Sequence, residues 1–195
     1  MASYTHIKNF GNIMVDLETL STHTNASIIE IAAVEFNKNT GEIGDVFHEC
    51  ISVSDWPANE RHIDGKTILW WMEQDNSLLS KFKNHNSKLH TVLQKFRVFY
   101  NQHSLQDDES TILWGNGSTM DITILQSAYE HFKEPTPWSY WAVNDVRTIV
   151  NLNPQIKENC IFEGDKHNPI DDCKHQIKYL VGTLKSITNE KKIDC

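Results

Sequence analysis

A chain of 195 residues is long enough for one domain with a substantial core. Its 39% hydrophobic and 23% charged residues are ordinary for a globular protein, and no apolar run reaches the roughly 18 residues a transmembrane helix needs. The formal charge of −8 argues against a general duplex binder, which carries a basic face.

The first element is the stretch NIMVDLETLS, residues 12–21. Ile13, Met14 and Val15 predict a buried strand over 13–18, and it ends in two carboxylates. Strand side chains alternate between faces, so Asp16 and Glu18 share one. IIEIAAVEF, residues 28–36, has strand character, NKNTGEIG, 37–44, reads as a hairpin turn, and VFHECIS, 46–52, is its partner strand. The chain is therefore expected to open with an antiparallel three-stranded meander. After Pro57 the spacing turns helical, in TILWWMEQ, 67–74, and in KLHTVLQKFRVFYNQH, 88–103. In the latter, Leu89, Val92, Leu93, Phe96 and Phe99 or Tyr100 mark one face.

LQDDES, 105–110, reads as a polar loop, TILWGN, 111–116, as a strand, and MDITILQSAYEHF, 120–132, as a helix with Ile124, Ala128 and Phe132 in register. YWAVND holds a last short strand. DVRTIVNL, 145–152, is a helix whose N-cap is Asp145. The final helix is predicted over 169–183, opened by Pro169 in its first turn, and TNEKKIDC reads as a frayed tail. No repeat, low-complexity block or Pro/Gly-rich linker interrupts the chain. The expectation is a single domain over 1–195, its core at about 12–182. Strands first, then alternating helices and strands, imply a mixed α/β sheet covered by helices.

Each acidic feature has an ordinary reading when taken alone. A strand face is often polar. Asp121 sits near a helix N-terminus, where a negative charge is favourable, and so does the pair Asp171-Asp172. A loop histidine such as His167 is usually just solvated. The functional readings are equally specific. Two adjacent carboxylates repel unless something positive lies between them, and a hard cation such as Mg²⁺ takes oxygen ligands. The Gly-Asn-Gly before Asp121 gives the backbone freedom to approach a ligand closely. A histidine with a pKa near 6.5 can take a proton from water at neutral pH.

In chain order these features are D-x-E on a first strand, an Asp after a central strand, and H-x-x-x-x-D at a last helix. They resemble the DEDDh group of 3′–5′ exonucleases, with IMVDLET as the first motif, WGNGSTMDITIL as the second and HNPIDDCKHQ as the third. ASIIEIAAVEF also looks like the second strand of that group. TILWWMEQ, LWGNGSTMD and WAVNDVRTIV are similar to a subgroup common in tailed phages and some bacteria. One departure is Met120, where the second motif often carries an aromatic residue; methionine can pack there too.

The resemblance implies a ribonuclease H-like fold, a mixed five-stranded sheet with an antiparallel second strand and helices on both faces. It implies two Mg²⁺ or Mn²⁺ ions held by Asp16, Glu18, Asp121 and Asp172. Asp16 would bridge both ions, Glu18 and Asp172 would complete the site of the first, and Asp121 would hold the second through water. His167 would be the general base. Two divalent ions would bring the net charge to about −4. The substrate would be a single-stranded nucleic acid with a free 3′ end, released as nucleoside 5′-monophosphates. RNA and DNA both stay open, because no pattern here identifies a contact to the 2′-OH. The family's five-residue spacing from the histidine selects Asp172 over Asp171.

Flanking residues are open in role. Trp70 and Trp71 are adjacent on a helix and point in different directions; core packing is favoured for both, with base stacking as the alternative. Asn116 is a possible substrate contact. Arg147 is a candidate phosphate contact, or a partner for an acid such as Glu30. Lys81, Lys83 and Lys88 form a loose basic patch, read as a solvated helix face. The N-terminus has no long apolar region, and Cys50, Cys160, Cys173 and Cys195 are scattered without a C-x-x-C. A reduced, cytoplasmic protein is expected, in the host cytoplasm if phage-encoded, with no membrane partner. The rival functions are a catalytically inert nucleic-acid-binding module on the same fold and a small-molecule nucleotide hydrolase, which would need a closed pocket.

Overall fold

The computed structural model describes residues 10–74, 87–103, 111–117 and 119–190. Its sheet has five strands: β1 (Asn12–Thr19), β2 (Ile28–Phe36), β3 (Ile43–Cys50), β4 (Ile112–Gly115) and β5 (Val143–Asp145), in the order β3-β2-β1-β4-β5. β1–β2 and β2–β3 pair antiparallel, whereas β1–β4 and β4–β5 pair parallel. The opening meander is thus present, and a parallel pair extends it. The helices are α1 (Gly65–Glu73), α2 (Leu89–Gln102), α3 (Asp121–His131), α4 (Val146–Val150), α5 (Pro154–Glu158) and α6 (Pro169–Glu190).

The period of two along β1 divides the interior into two cores. Ile13, Val15 and Leu17 pack with Phe47, with Leu93 and Phe96 of α2, and with Leu125 and Ala128 of α3. Met14 points to the opposite face and packs with Ala32 and Val34, with Cys173, Ile177 and Leu180 of α6, and with Val146 and Val150 of α4. Fully burying a Leu or Phe contributes about 1.5–3 kcal/mol, so the apolar stripe of α2 fixes its position on the sheet. All six residues predicted for that stripe are buried, from Leu89 through Tyr100. Asp16 and Glu18 have the parity of Met14, and so belong to the face that α6 covers.

Several boundaries differ from expectation. β3 begins at Ile43, so the hairpin turn is shorter than predicted. α6 continues to Glu190, so Thr188 to Glu190 are helical rather than part of a frayed tail. α5 and two 3₁₀ turns, Val53–Asp55 and Pro57–Asn59, were not expected. Each is a turn or so long, too short for a hydrophobic period to show. The predicted loop at 105–110, and Lys81 and Lys83, lie outside the described residues. Among the described residues no helix is long and apolar enough to cross a membrane.

Candidate active site

Along β1 every residue is buried except Asp16 and Glu18, which are half-buried. β4 runs parallel to β1 with Gly115 opposite Val15, so the end of β4 releases the chain beside Asp16. The turn that follows needs a glycine. Gly117 sits at φ +103°, and a Cβ there would lie 3.2 Å from the guanidinium of Arg147. The turn leads into α3, whose first residue is Asp121. Asp121 is buried, and its Oδ1 faces the backbone N–H of Leu17 at 3.4 Å, between the two carboxylates of β1.

α6 delivers the third group. Pro169 is its first residue, and His167 lies just before it at φ +63°. Histidine enters this left-handed region more readily than most residues. The turn carries the imidazole toward the sheet. Donor atoms of Glu18, His167 and Asp172 all lie within 4.8 Å of one another. The backbone N–H of His167 donates to the Asp172 carboxylate. One helical turn on, Gln176 donates from Nε2 to Asp16 Oδ1 at 2.8 Å. Asp171 points elsewhere. It accepts from the N–H of Asp165 at 3.1 Å, pairs with Lys174 at 3.5 Å, and lines a cavity of about 680 Å³ on another side of α6. Asp172 lines a different cavity, about 210 Å³, with Asn116, Lys166 and His167.

The electrostatics follow from burial and crowding. Burial pushes the pKa of Asp16 well up, and Asp121 and Asp172 push it further, against the bond from Gln176. Glu18 is pushed up to about 10, by burial first and then by Asp16, Glu30, Asp172 and Asp121. Burial raises Asp121 to about 7, opposed by the N–H groups of Leu17 and Asp121 itself and by Arg147. Asp172 is raised by burial and lowered by His167. The four carboxylates, each costly to ionise, are oxygen donors of the kind that a hard divalent cation takes. The cluster is an acidic site able to hold one.

Residues 11–184 match the family described as the 3′–5′ exoribonuclease Rv2179c-like domain. The chain belongs to this family. It is a 3′–5′ exonuclease with a ribonuclease H-like mixed sheet. It is 22% identical to the exodeoxyribonuclease of Enterobacteria phage T4, in an alignment covering 94% of this chain and 96% of that one. Its fold is similar to the nuclease domain of 3′hExo, a DEDDh family member bound to rAMP. There the TM-score is 0.61 at 16% identity, over 90% of this chain and 92% of that one. It is also similar to S. pombe Pop2p in its Mg²⁺- and Mn²⁺-bound form, with TM-score 0.63 at 12% identity, over 96% and 88% of the two chains.

The flanking residues of the exonuclease divide into two groups. Trp71 is a core residue as expected, and its indole donates to Thr19 O at 2.9 Å. Trp70 departs from that expectation. Successive helical residues diverge by about 100°, so Trp70 is left exposed, its ring edge-on to His167 with centroids 5.0 Å apart. Met120 is exposed as well, and with Leu17, Glu18, Lys66 and Trp70 it lines a groove of about 350 Å³. Arg147 does not pair with Glu30. It donates to the carbonyl of Asn116 at 3.1 Å, while Glu30 faces His48. Asp145 caps α4 as predicted, accepting from Arg147 N–H at 3.2 Å, and it also holds Gly117 N–H at 3.0 Å. Lys88 is exposed. Gln176 was missed, although its position four residues after Asp172 puts both on one helix face.

Proposed function

We propose that the exonuclease hydrolyses the terminal phosphodiester at the 3′ end of a single-stranded RNA or DNA and releases nucleoside 5′-monophosphates. Asp16, Glu18, Asp121 and Asp172 would hold two Mg²⁺ or Mn²⁺ ions, and His167 would act as general base. The observation that carries this reading is the convergence of Glu18, His167 and Asp172, from opposite ends of the chain, within 4.8 Å. When bound, two such ions stabilise the charge on the attacking and leaving oxygens of an in-line displacement. The chain supplies the rest. Asp16, oriented by Gln176, would be among the residues that hold the ions. His167, braced by the edge of Trp70, takes the proton of the attacking water. Trp70 and Met120 form an apolar wall beside Glu18 on which a terminal base can rest. Arg147 and Asn116 shape the turn over Asp121.

Both nucleic acids remain substrates in this reading. The family is described as exoribonucleases, whereas the T4 relative is an exodeoxyribonuclease. The thiols of Cys50, Cys160 and Cys173 accord with a reducing, cytoplasmic setting. The test is degradation of 5′-labelled RNA and DNA oligomers of equal sequence, with Mg²⁺ or with EDTA. A ladder shortening from the 3′ end, blocked by a 3′-phosphate and absent in EDTA, is expected. Full turnover in EDTA would overturn the metal assignment, and cuts in a circular strand would overturn the exonucleolytic one. Binding without any turnover would leave an inert nucleic-acid module.

A further inference from the structure

The face of the sheet that carries Asp16 and Glu18 continues onto β2 and β3. Glu18 lies opposite Glu30, and Glu30 lies opposite Cys50. His48 is two residues before Cys50 and opposite Ala32, so it shares this face. The register therefore gathers a carboxylate, an imidazole and a thiol at the open edge of the meander. We propose that Glu30, His48 and Cys50 form a second cation site, for a borderline-soft transition-metal ion of the Zn²⁺ class, separate from the carboxylate centre.

The geometry is close to what such an ion requires. Glu30 Oε2 and His48 Nε2 are 3.1 Å apart, His48 Nε2 and Cys50 Sγ are 3.9 Å apart, and donors of all three lie within 4.8 Å of one another. Zinc bonds of about 2.0–2.3 Å in tetrahedral array put neighbouring donors about 3.3–3.6 Å apart. The two separations from His48 Nε2 are within a few tenths of an ångström of that arrangement, and Glu30 and Cys50 stand within 4.8 Å of each other. Glu30 and Cys50 are buried, while the side chain of His48 is 32% exposed. The ion can enter past the imidazole and keep a water in its fourth position. On binding, the Cys50 thiol gives its proton to solvent as the S–metal bond forms. Softness separates the two sites. Sulfur and nitrogen donors favour Zn²⁺, whereas the oxygen-rich centre built on Asp16 favours Mg²⁺. The competing account is a plain ion pair between His48 and Glu30 with Cys50 as a bystander.

Co²⁺ titrated into the metal-free, full-length protein distinguishes these accounts, because a Co²⁺–thiolate bond gives a near-ultraviolet charge-transfer band. The band is expected in the wild type, saturating at one ion, and in Asp16→Asn. It should be lost in Cys50→Ser, which still contains Cys160, Cys173 and Cys195. His48→Gln, a change at a partly exposed position, should weaken competitive Zn²⁺ binding roughly tenfold or more. Circular dichroism of each variant checks that it is folded. A wild type without the band, a band that survives in folded Cys50→Ser, a band lost in folded Asp16→Asn, or unchanged Zn²⁺ affinity in His48→Gln would each overturn the site. None of these readouts uses nuclease activity, so they stand apart from the test of the proposed reaction.

Discussion

Asp171 and Asp172 differ by one position on α6 and by about 100° around its axis. That rotation sends one carboxylate to the loop at Asp165 and to Lys174 on the same helix, and the other to Glu18 and His167. Asp172→Asn is therefore expected to abolish turnover, and Asp171→Asn to leave it near wild type. His167→Ala should lower turnover by roughly 10²–10⁴-fold while metal binding is mostly retained. Turnover of one single-stranded oligomer by the three purified variants, with circular dichroism as folding control, decides it. An inactive, folded Asp171→Asn beside an active Asp172→Asn would shift the register by one. In the sequence this choice comes from the resemblance, through its five-residue spacing from the histidine, and Pro169 supports a helix start after His167. The bond from Gln176 to Asp16 was not legible there. It joins residues 160 positions apart, and nothing local in either stretch announces the other.

The turn between β4 and α3 shows how one short element positions another. Asp145 caps α4 through Arg147 N–H, accepts from Thr148 Oγ1 at 2.6 Å, and holds the N–H of Gly117 across the turn that precedes Asp121. Asp145→Ala removes a helix cap and releases this turn. A cap lost to alanine costs about 0.5–2 kcal/mol, and the bond to Gly117 adds about 1. Urea unfolding should thus show a loss of about 1.5–3 kcal/mol, with Asp145→Asn closer to wild type because its side-chain oxygen still accepts. Equal stability of wild type and Asp145→Ala would show that Arg147 alone holds the turn. The cap itself could be read from the sequence, as an aspartate before an apolar helix. Its second role depends on β4 and β5 lying side by side, which only the folded sheet provides. The strands and long helices were legible for a related reason. β2 is apolar at seven of its nine positions and α2 repeats its apolar positions over fourteen, whereas α5 has five residues and no period to read.

At the scale of the whole molecule, the acidic centre sets how stability responds to pH and to cations. Free Asp and Glu ionise near pH 4. In the folded chain Asp16 and Asp172 are raised, Asp121 is raised to about 7 and Glu18 to about 10. Above pH 4 the unfolded chain loses these protons while the folded chain keeps them. The folded state then binds more protons, and stability falls as pH rises. For these groups the fall begins near pH 4, runs through 7 for Asp121 and continues toward 10 for Glu18. A divalent cation bound among the ionised carboxylates reverses it, because the ion binds the folded state alone. The metal-free exonuclease should therefore melt lower at about pH 8 than at about pH 5.5, and Mg²⁺ should recover the difference at the higher pH. Each kcal/mol corresponds to about 2–4 °C in a domain of this size, so the gap is expected to reach several degrees. Asp16→Asn removes the most crowded charge. Without metal at about pH 8 it should melt above the wild type, and it should gain less from Mg²⁺. Differential scanning calorimetry of both proteins at the two pH values, in EDTA and in Mg²⁺, gives the comparison. A metal-free wild type that melts as high at about pH 8 as at about pH 5.5, or an Asp16→Asn that melts lower than wild type in EDTA, would mean that the four carboxylates are relieved by solvent and need no cation to coexist.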